Sequence, residues 1–285
     1  MKAHVLLKFP ILPILFIASF VAVGCAGAGG GNPLAPSGTV TVDQSGGGDF
    51  TTIQAAIDAS SPGTTIRVGS GTYEGDCDVA KSLTIECSVS STVIQMSGFP
   101  KVTDPAEASD TEMDLCVIRD TSDVEIRDCT FSNGPDDGIV IRNSTNITLI
   151  NVTASNNGDD GLDIRNSSDI MVTGSTFSGN GDKGVRIRKG SMNVTVATST
   201  ISGNGGKGAR IRGDNTSAVA IRNSTVSDNL DDGIRVEEEA AGVTLADNTI
   251  MNNVECGIRV ENAPGTVFQN NTVNGNGDNA VPCPK

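Results

Sequence analysis

Residues 153–165 read TASNNGDDGLDIR and residues 176–188 read TFSGNGDKGVRIR, so these two segments are copies of one repeat. Each copy begins with a threonine and carries a glycine eight residues later. From Thr130 onward the threonine recurs every 23 to 25 residues, at Thr130, Thr153, Thr176, Thr200, Thr225, Thr249 and Thr272. A repeat this short cannot bury an apolar face alone, so successive copies have to stack on one another. The sequence therefore predicts a solenoid.

Within each copy, apolar and polar residues alternate over short stretches. Ile170 and Val172 precede Thr176, and Val185 and Ile187 follow the glycine of the same copy. A period of two indicates strands with one face turned inward, and the β-branched residues at the inward positions favour strands. Gly, Asn, Asp and Ser fill the intervals, where turns need them. Three short strands per copy, stacked in register, predict an all-β parallel β-helix.

An asparagine follows the threonine of most copies by four residues, at Asn157, Asn180, Asn204, Asn229, Asn253 and Asn276. Buried side-chain amides need hydrogen-bond partners. We expect these asparagines to form a ladder in which each amide bonds the turn backbone of a neighbouring coil.

The N-terminal part of the chain identifies a family resemblance. Residues 47–59, GGDFTTIQAAIDA, are followed by GTTIRV at 63–68 and GTY at 71–73. Together with the repeats, this pattern resembles the pectate-lyase-like superfamily. The resemblance implies a right-handed, single-stranded parallel β-helix over residues 39–285, with a short N-terminal helix capping its open end. A segment at about 97–114 interrupts the repeat and is expected to be an insertion.

The first residues have the pattern of an export signal. Lys2 and Lys8 precede an apolar run that reaches Val23, which predicts a signal peptide over 1–24 and a flexible tether over 25–38. Ala22 to Cys25 resembles a bacterial lipobox, which implies a lipid on Cys25 and an outer-membrane or cell-surface location. Cleavage after Ala28 is the alternative and gives a secreted protein. No other stretch is apolar enough to cross a bilayer.

The cysteine count agrees with export. The chain has seven cysteines, and removing Cys25 leaves six, enough for three disulfides. Cys256 and Cys283 are about one repeat apart and are predicted to pair and hold the last coil. The other four cysteines allow two arrangements: local pairs Cys77–Cys87 and Cys116–Cys129, or pairs between coils, Cys77–Cys116 and Cys87–Cys129.

The composition excludes several kinds of chemistry. The only histidine, His4, lies in the predicted signal peptide, which removes imidazole-based catalysis and zinc binding. The absence of tryptophan and the single tyrosine disfavour stacking on neutral sugars. A net charge of −14 disfavours nucleic acid as a partner. We expect a monomer.

One stretch reverses the acidic balance. Between Lys183 and Arg212 there are seven basic residues and no acidic one. Four of these are predicted to bind a ligand: Arg188, Lys207, Arg210 and Arg212. One coil earlier, Asp159, Asp160 and Asp163 form a predicted carboxylate group suited to Ca²⁺. The charges either pair along the sheet, for example Asp163 facing Arg186, or bind an acidic polysaccharide.

Two functions are compatible with these residues. One is a non-catalytic surface scaffold or adhesin that contacts acidic polysaccharide. The other is suggested by the superfamily resemblance, in which lyases neutralise a uronate carboxylate with calcium or arginine and abstract a proton with Lys or Arg. If the chain is such a lyase, the local charges favour Lys183 or Arg186 as the base, with Asp159, Asp160 and Asp163 as calcium ligands.

Overall fold

The computed structural model describes residues 38–88, 92–96, 113–213 and 215–284. The predicted signal peptide, Cys25 and nearly all of the tether and the 97–114 insertion lie outside these residues. Among the described residues, no helix is long and apolar enough to cross a membrane.

Three parallel sheets wind around one core, and the chain visits them in a fixed order. Strands are numbered along the chain. The first sheet has ten strands: β1 (Thr39–Val42), β2 (Thr64–Val68), β5 (Leu83–Cys87), β8 (Ser122–Arg127), β11 (Thr145–Ile150), β14 (Ser168–Thr173), β17 (Met192–Ala197), β20 (Ser217–Arg222), β23 (Thr244–Ala246) and β26 (Val267–Gln269).

From Thr64 to Glu261, each coil passes from the first sheet to the second and then to the third. The second has nine strands: β3 (Gly71–Glu74), β6 (Thr92–Gln95), β9 (Thr130–Ser132), β12 (Thr153–Ser155), β15 (Thr176–Ser178), β18 (Thr200–Ser202), β21 (Thr225–Ser227), β24 (Thr249–Met251) and β27 (Thr272–Asn274). The third has eight: β4 (Cys77–Val79), β7 (Cys116–Arg119), β10 (Ile139–Arg142), β13 (Leu162–Arg165), β16 (Val185–Arg188), β19 (Ala209–Arg212), β22 (Ile234–Glu237) and β25 (Ile258–Glu261). The predicted parallel β-helix is confirmed.

A short helix, α1 (Ile53–Ala59), packs at the N-terminal end of the coil. The Thr52 hydroxyl accepts a hydrogen bond from the Ala55 backbone N–H and caps the first turn. Ile53 and Ile57 are buried against the core. The predicted helix is therefore present, and its apolar face covers core residues of β1, β2 and β4.

The inward residues of all three sheets form one continuous core. Phe131 and Phe177 are fully buried on the second sheet, and they flank Ala154 in register. Because each coil stacks on the next with residue-for-residue pairing, equal positions of successive repeats meet. The 23- to 25-residue period therefore sets the register of the coils from β8 onward.

The predicted asparagine ladder is confirmed. Asn180 Nδ2 donates to Asn204 Oδ1 at 3.0 Å and to the Ala154 carbonyl at 3.2 Å, and the Asn180 backbone N–H donates to the same Oδ1. Serine columns at the other two corners make related hydrogen bonds and were not predicted. For example, the Ser144 backbone N–H donates to Ser167 Oγ at 3.1 Å.

All six cysteines of the described chain form disulfides between coils. Cys77 bonds Cys116 and Cys87 bonds Cys129, which selects the second of the two arrangements open from the sequence. Cys77 and Cys116 face each other in the third sheet, so the pairing follows from the register. The predicted Cys256–Cys283 bond is also present.

Candidate binding site on the third sheet

A groove of about 360 Å³ runs along the outer face of the third sheet and the turns that lead into it. We call it the charged groove, because every described residue that lines it is charged: Asp114, Asp136, Asp137, Asp159, Arg165, Asp182, Lys183, Arg186, Arg188 and Arg210. A second depression, of about 520 Å³, adjoins it at Asp114. The face therefore offers a long polar surface along the solenoid axis.

The turn before each third-sheet strand fixes the acidic residues. Asn157 is held in the ladder, and a Cβ on Gly158 would lie 1.8 Å from the Pro135 carbonyl oxygen, so only glycine fits there. The backbone N–H of Asp160 donates to Asp137 Oδ1 at 2.7 Å. Successive turns thus stack closely and bring their aspartates together.

Asp160 is fully buried behind the charged groove. It accepts hydrogen bonds from the Lys183 backbone N–H at 2.9 Å, from Lys183 Nζ at 3.4 Å and from Arg186 Nη1 at 3.3 Å. Burial raises the pKa of Asp160 to about 7, although the cations beside it favour the ionised form. The two predicted catalytic residues, Lys183 and Arg186, are therefore brought together by one carboxylate.

Asp163 does not join the other two predicted calcium ligands. It lies opposite Arg186 in register, as expected, but its carboxylate pairs with Arg188 at 2.8 and 3.1 Å. The long arginine side chain reaches diagonally to the neighbouring strand, so the predicted Asp163–Arg186 pair is replaced by Asp163–Arg188. Both oxygens of Asp163 are occupied by this guanidinium.

Asp136 and Asp137, which were not predicted as ligands, take the place left by Asp163. Carboxylate oxygens of Asp136, Asp137 and Asp159 lie within 4.8 Å of one another. Asp136 is only 7% exposed, and no hydrogen bond or ion pair of its carboxylate is found among the described residues, although the charge of Arg165 favours its ionised form. The sequence does show an Asp-Asp pair one repeat before Asp159 and Asp160, but such a pair before a glycine is also typical of an ordinary turn.

The electrostatics of this aspartate cluster favour a bound cation. Burial raises the pKa of Asp136, and the nearby charge of Asp160 raises it further. The pKa of Asp137 is raised well above its ordinary value by the same two causes. Clustered oxygen ligands are what Ca²⁺ prefers, and a cation would relieve their mutual repulsion. The donor set of Asp136, Asp137 and Asp159 therefore fits calcium.

Lys183 lies at the edge of the cluster. Its side chain is only 6% exposed, and Nζ pairs with Asp160 and with Asp182. Asp159, Asp160 and Asp182 form a second group of oxygens within 4.8 Å. The amine therefore sits beside carboxylates that a metal ion would compete for.

The basic stretch between Lys183 and Arg212 is paired with carboxylates, which is the first of the two alternatives that the sequence left open. Lys207 pairs with Asp231, Arg210 with Glu237, and Arg212 with Glu238 at 3.1 Å. These acids belong to the next coil, which the stretch itself does not reveal. The four predicted ligand-binding residues, Arg188 among them, are present on this face, but each already contacts a carboxylate.

Comparisons with known proteins agree with this architecture. The family described as "Right handed beta helix region" matches residues 114–273, whereas no curated protein sequence matches the chain.

Three solved structures are similar to it. The pectate lyase Pel9A is 16% identical with a TM-score of 0.61, and the match covers 89% of this chain and 82% of that one. The pectin methylesterase from Aspergillus niger is 16% identical with a TM-score of 0.56, covering 84% and 86%. A double mutant of the periplasmic alginate epimerase AlgG is 15% identical with a TM-score of 0.54, covering 75% and 63%. At these identities the likeness is one of fold.

Proposed function

Since this chain belongs to the right-handed β-helix family, we propose that it binds an acidic polysaccharide along the charged groove, with calcium bridging protein and sugar carboxylates. The observation that carries this proposal is the Asp136 carboxylate, which is buried and without a partner among the described residues, beside Asp137 and Asp159. The fold alone does not imply this function, because one fold hosts many activities.

Calcium is needed in this proposal because the groove has no surplus of positive charge. Its cations are largely neutralised by Asp160, Asp163 and Glu237. A polyanion would therefore meet the repulsion of Asp136, Asp137 and Asp159 unless a divalent ion bridged the two sets of carboxylates.

The arginines give the groove its specificity for carboxylate. Arg186 lines the groove; its Nε is buried and has no hydrogen-bond partner among the described residues, and its Nη1 contacts Asp160. Planar guanidinium groups bind carboxylates and sulfates well. By their names, the three similar structures act on pectate, pectin or alginate, which are acidic polysaccharides.

Affinity electrophoresis tests this proposal. Migration would be compared in gels that contain pectate, alginate or a glycosaminoglycan, with calcium or with a chelator. We expect retardation by at least one polymer with calcium only. The variant Arg186→Ala/Arg210→Ala should migrate freely, whereas the matched control Arg222→Ala, on the exposed face of the first sheet, should be retarded like the wild type. Migration unaffected by all three polymers would overturn the proposal.

The position of Lys183 supports a second candidate function, a calcium-dependent polysaccharide lyase acting on uronates. Lys183 Nζ lies 3.4 Å from Asp160 Oδ1, and calcium bound by Asp159 and Asp160 would loosen this ion pair. In its unprotonated form the amine would take the proton beside the sugar carboxylate, the glycosidic C4–oxygen bond would break as the double bond forms, and a proton from water would go to the leaving oxygen. Arg186 would stay near that carboxylate.

Absorbance of unsaturated products separates the two candidates. A lyase would raise the absorbance of a pectate or alginate solution that contains calcium. Lys183→Ala should abolish this rise in absorbance while polysaccharide binding remains. No rise on any substrate, with binding retained, would leave the non-catalytic surface scaffold or adhesin.

For its location, we propose export and attachment to the cell envelope through a lipid on Cys25. The support is the lipobox-like sequence from Ala22 to Cys25 and the three disulfides, which are typical of exported proteins. Fractionation of cells that express Cys25→Ser tests it. The variant should move from the membrane to the soluble fraction, and a variant that stays with the membrane contradicts the anchor.

A further inference from the structure

The threonine that begins each repeat plays no part in the charged groove. On the second sheet, the middle residue of each short strand points inward, as buried Phe131, Phe177 and Ile201 show. The residues on either side point outward and stack into two columns. We call them the threonine–serine face: Thr130, Thr153, Thr176, Thr200, Thr225, Thr249 and Thr272 in one column, and Ser132, Ser155, Ser178, Ser202 and Ser227 in the other.

The hydroxyl groups of this face are largely free of protein partners. Among the described residues, no hydrogen bond is made by a hydroxyl of the threonine column, and only Ser132 in the serine column has one, from Asn133 Nδ2 at 3.2 Å. Ser227 is the informative case, because it is 8% exposed and its hydroxyl still has no partner within the described chain. A polar group this enclosed needs a ligand or ordered water from the open side.

The face is also regular and uncharged. Its strands pair in register from β9 to β27, and no residue of either column is charged, although 19% of the chain is. Met251 and Asn274 continue the serine column at its end. Sheets stabilised by side-chain ladders can stay flat over many strands, and the asparagine ladder runs beside this one.

The spacings of the hydroxyls resemble those of frozen water. Neighbouring strands are about 4.8 Å apart, and alternate residues of a strand about 6.6 Å apart. Oxygen atoms on the surface of hexagonal ice repeat at similar distances in two directions. A regular array of hydroxyls at this spacing, with no partner among the described residues and with threonine methyl groups between them, can hold water molecules in ice-like positions. We propose that the threonine–serine face binds ice.

A sugar polymer is a poorer occupant for the same face. Sugar rings stack on aromatic side chains, and the outward residues of β9 to β27 are threonine, serine, methionine and asparagine. Tyr73, on β3 of this sheet, points inward and is buried. Acidic polymers would also find no cation in the two columns. Water therefore matches the chemistry of this face best.

Partition into slowly growing ice tests the proposal with the full chain. A dilute solution would be frozen partly on a cold finger, and the protein in the ice and in the remaining liquid would be measured. We expect the wild type to enter the ice. The variant Thr176→Tyr/Thr200→Tyr places two aromatic rings on the threonine–serine face and should be excluded from the ice. Serum albumin serves as a control protein that should also be excluded.

Matched controls make the result specific. Thr148→Tyr/Thr195→Tyr carries the same change on outward positions of the first sheet and should enter the ice like the wild type. Arg186→Ala/Arg210→Ala should do so as well, because the charged groove is separate. Circular dichroism would confirm folding, and Thr225→Tyr alone replaces the double variant if that does not fold. Exclusion of the wild type, or equal incorporation of the face and control variants, would overturn the proposal.

Discussion

Arg188 donates two hydrogen bonds to the carboxylate of Asp163, at 2.8 and 3.1 Å, although the residue opposite Asp163 in the sheet is Arg186. The Arg188 guanidinium reaches the strand of the preceding coil, where it contacts the residue two positions before its own register partner, Arg165. Arg186 uses the same coil for a different partner, Asp160. Diagonal pairing of this kind lets arginines stack on successive strands without facing each other unpaired.

Breaking the Asp163–Arg188 pair should destabilise the protein strongly. Asp163→Asn removes the carboxylate that pairs with both sides of this largely buried guanidinium, which costs about 3 kcal/mol. Glu86→Gln is the matched control, because Glu86 pairs with Arg67 on the first sheet at 3.1 Å and Arg67 is 63% exposed. That change should cost less than about 1 kcal/mol. Urea unfolding followed by circular dichroism measures both, and equal losses would contradict the account.

A substitution at the centre of the asparagine ladder should also lower the free energy of unfolding strongly. Asn204→Leu removes the acceptor of the Asn180 backbone N–H and the donor to the Phe177 carbonyl. Each buried group left unsatisfied costs about 1–3 kcal/mol. Asn274→Leu, on the exposed end of β27, is the control and should change little. An unfolding midpoint of Asn204→Leu as high as that of the control would show that the ladder contributes no stability.

The aspartate cluster should make stability fall as the pH rises when calcium is absent. Burial and the nearby charge of Asp136 raise the pKa of Asp114 from 3.8 to about 7. The folded protein therefore holds this proton more tightly than the unfolded chain between these two values, so the free energy of unfolding decreases as the pH rises through that window. The buried aspartates beside it act in the same direction.

Thermal unfolding in a chelator, at several pH values, measures this effect. Asp114→Asn should show a weaker fall of the melting temperature than the wild type, because asparagine cannot ionise. Asp228→Asn, at an exposed turn, should follow the wild type. A melting temperature of the wild type that does not change from acid to neutral pH would contradict the raised pKa values.

The last disulfide should protect the C-terminal coil. The Cys256–Cys283 bond closes a segment with a sequence separation of 27, and a bond of this length contributes about 3 kcal/mol in the loop-entropy model. Cys256→Ser/Cys283→Ser should therefore be cleaved within residues 262–280 under limited proteolysis that leaves the wild type intact. Cleavage at the same rate in both proteins would show that the coil is held without it.

The repeat alone predicts most of the backbone, because equal positions of successive copies must meet once the coils stack. That reasoning predicted the strand pattern, the ladder of Asn157 and its equivalents, and the Cys256–Cys283 bond. It left the other disulfides open, and the sheet register between Cys77 and Cys116 chooses between them.

The candidate site was harder to predict, because its contacts depend on side-chain reach. The register places Asp163 opposite Arg186. A long arginine side chain can also reach diagonally across to the neighbouring strand, and Asp163 therefore pairs with Arg188. Asp136 and Asp137 also read as ordinary turn residues before a glycine. Only the close stacking of the turns, which brings them to Asp159, indicates that they form one cluster.

Calorimetric titration of an oligouronate into the protein tests the central claim most directly. If calcium bridges the two partners, the wild type should release or absorb heat of binding with calcium and should show none with a chelator. The variant Asp136→Asn/Asp159→Asn should show no heat of binding even with calcium. The control Asp228→Asn should bind like the wild type. Binding of the same strength in the chelator, or in the Asp136→Asn/Asp159→Asn variant, would contradict the proposal that calcium at the aspartate cluster joins this protein to acidic polysaccharide.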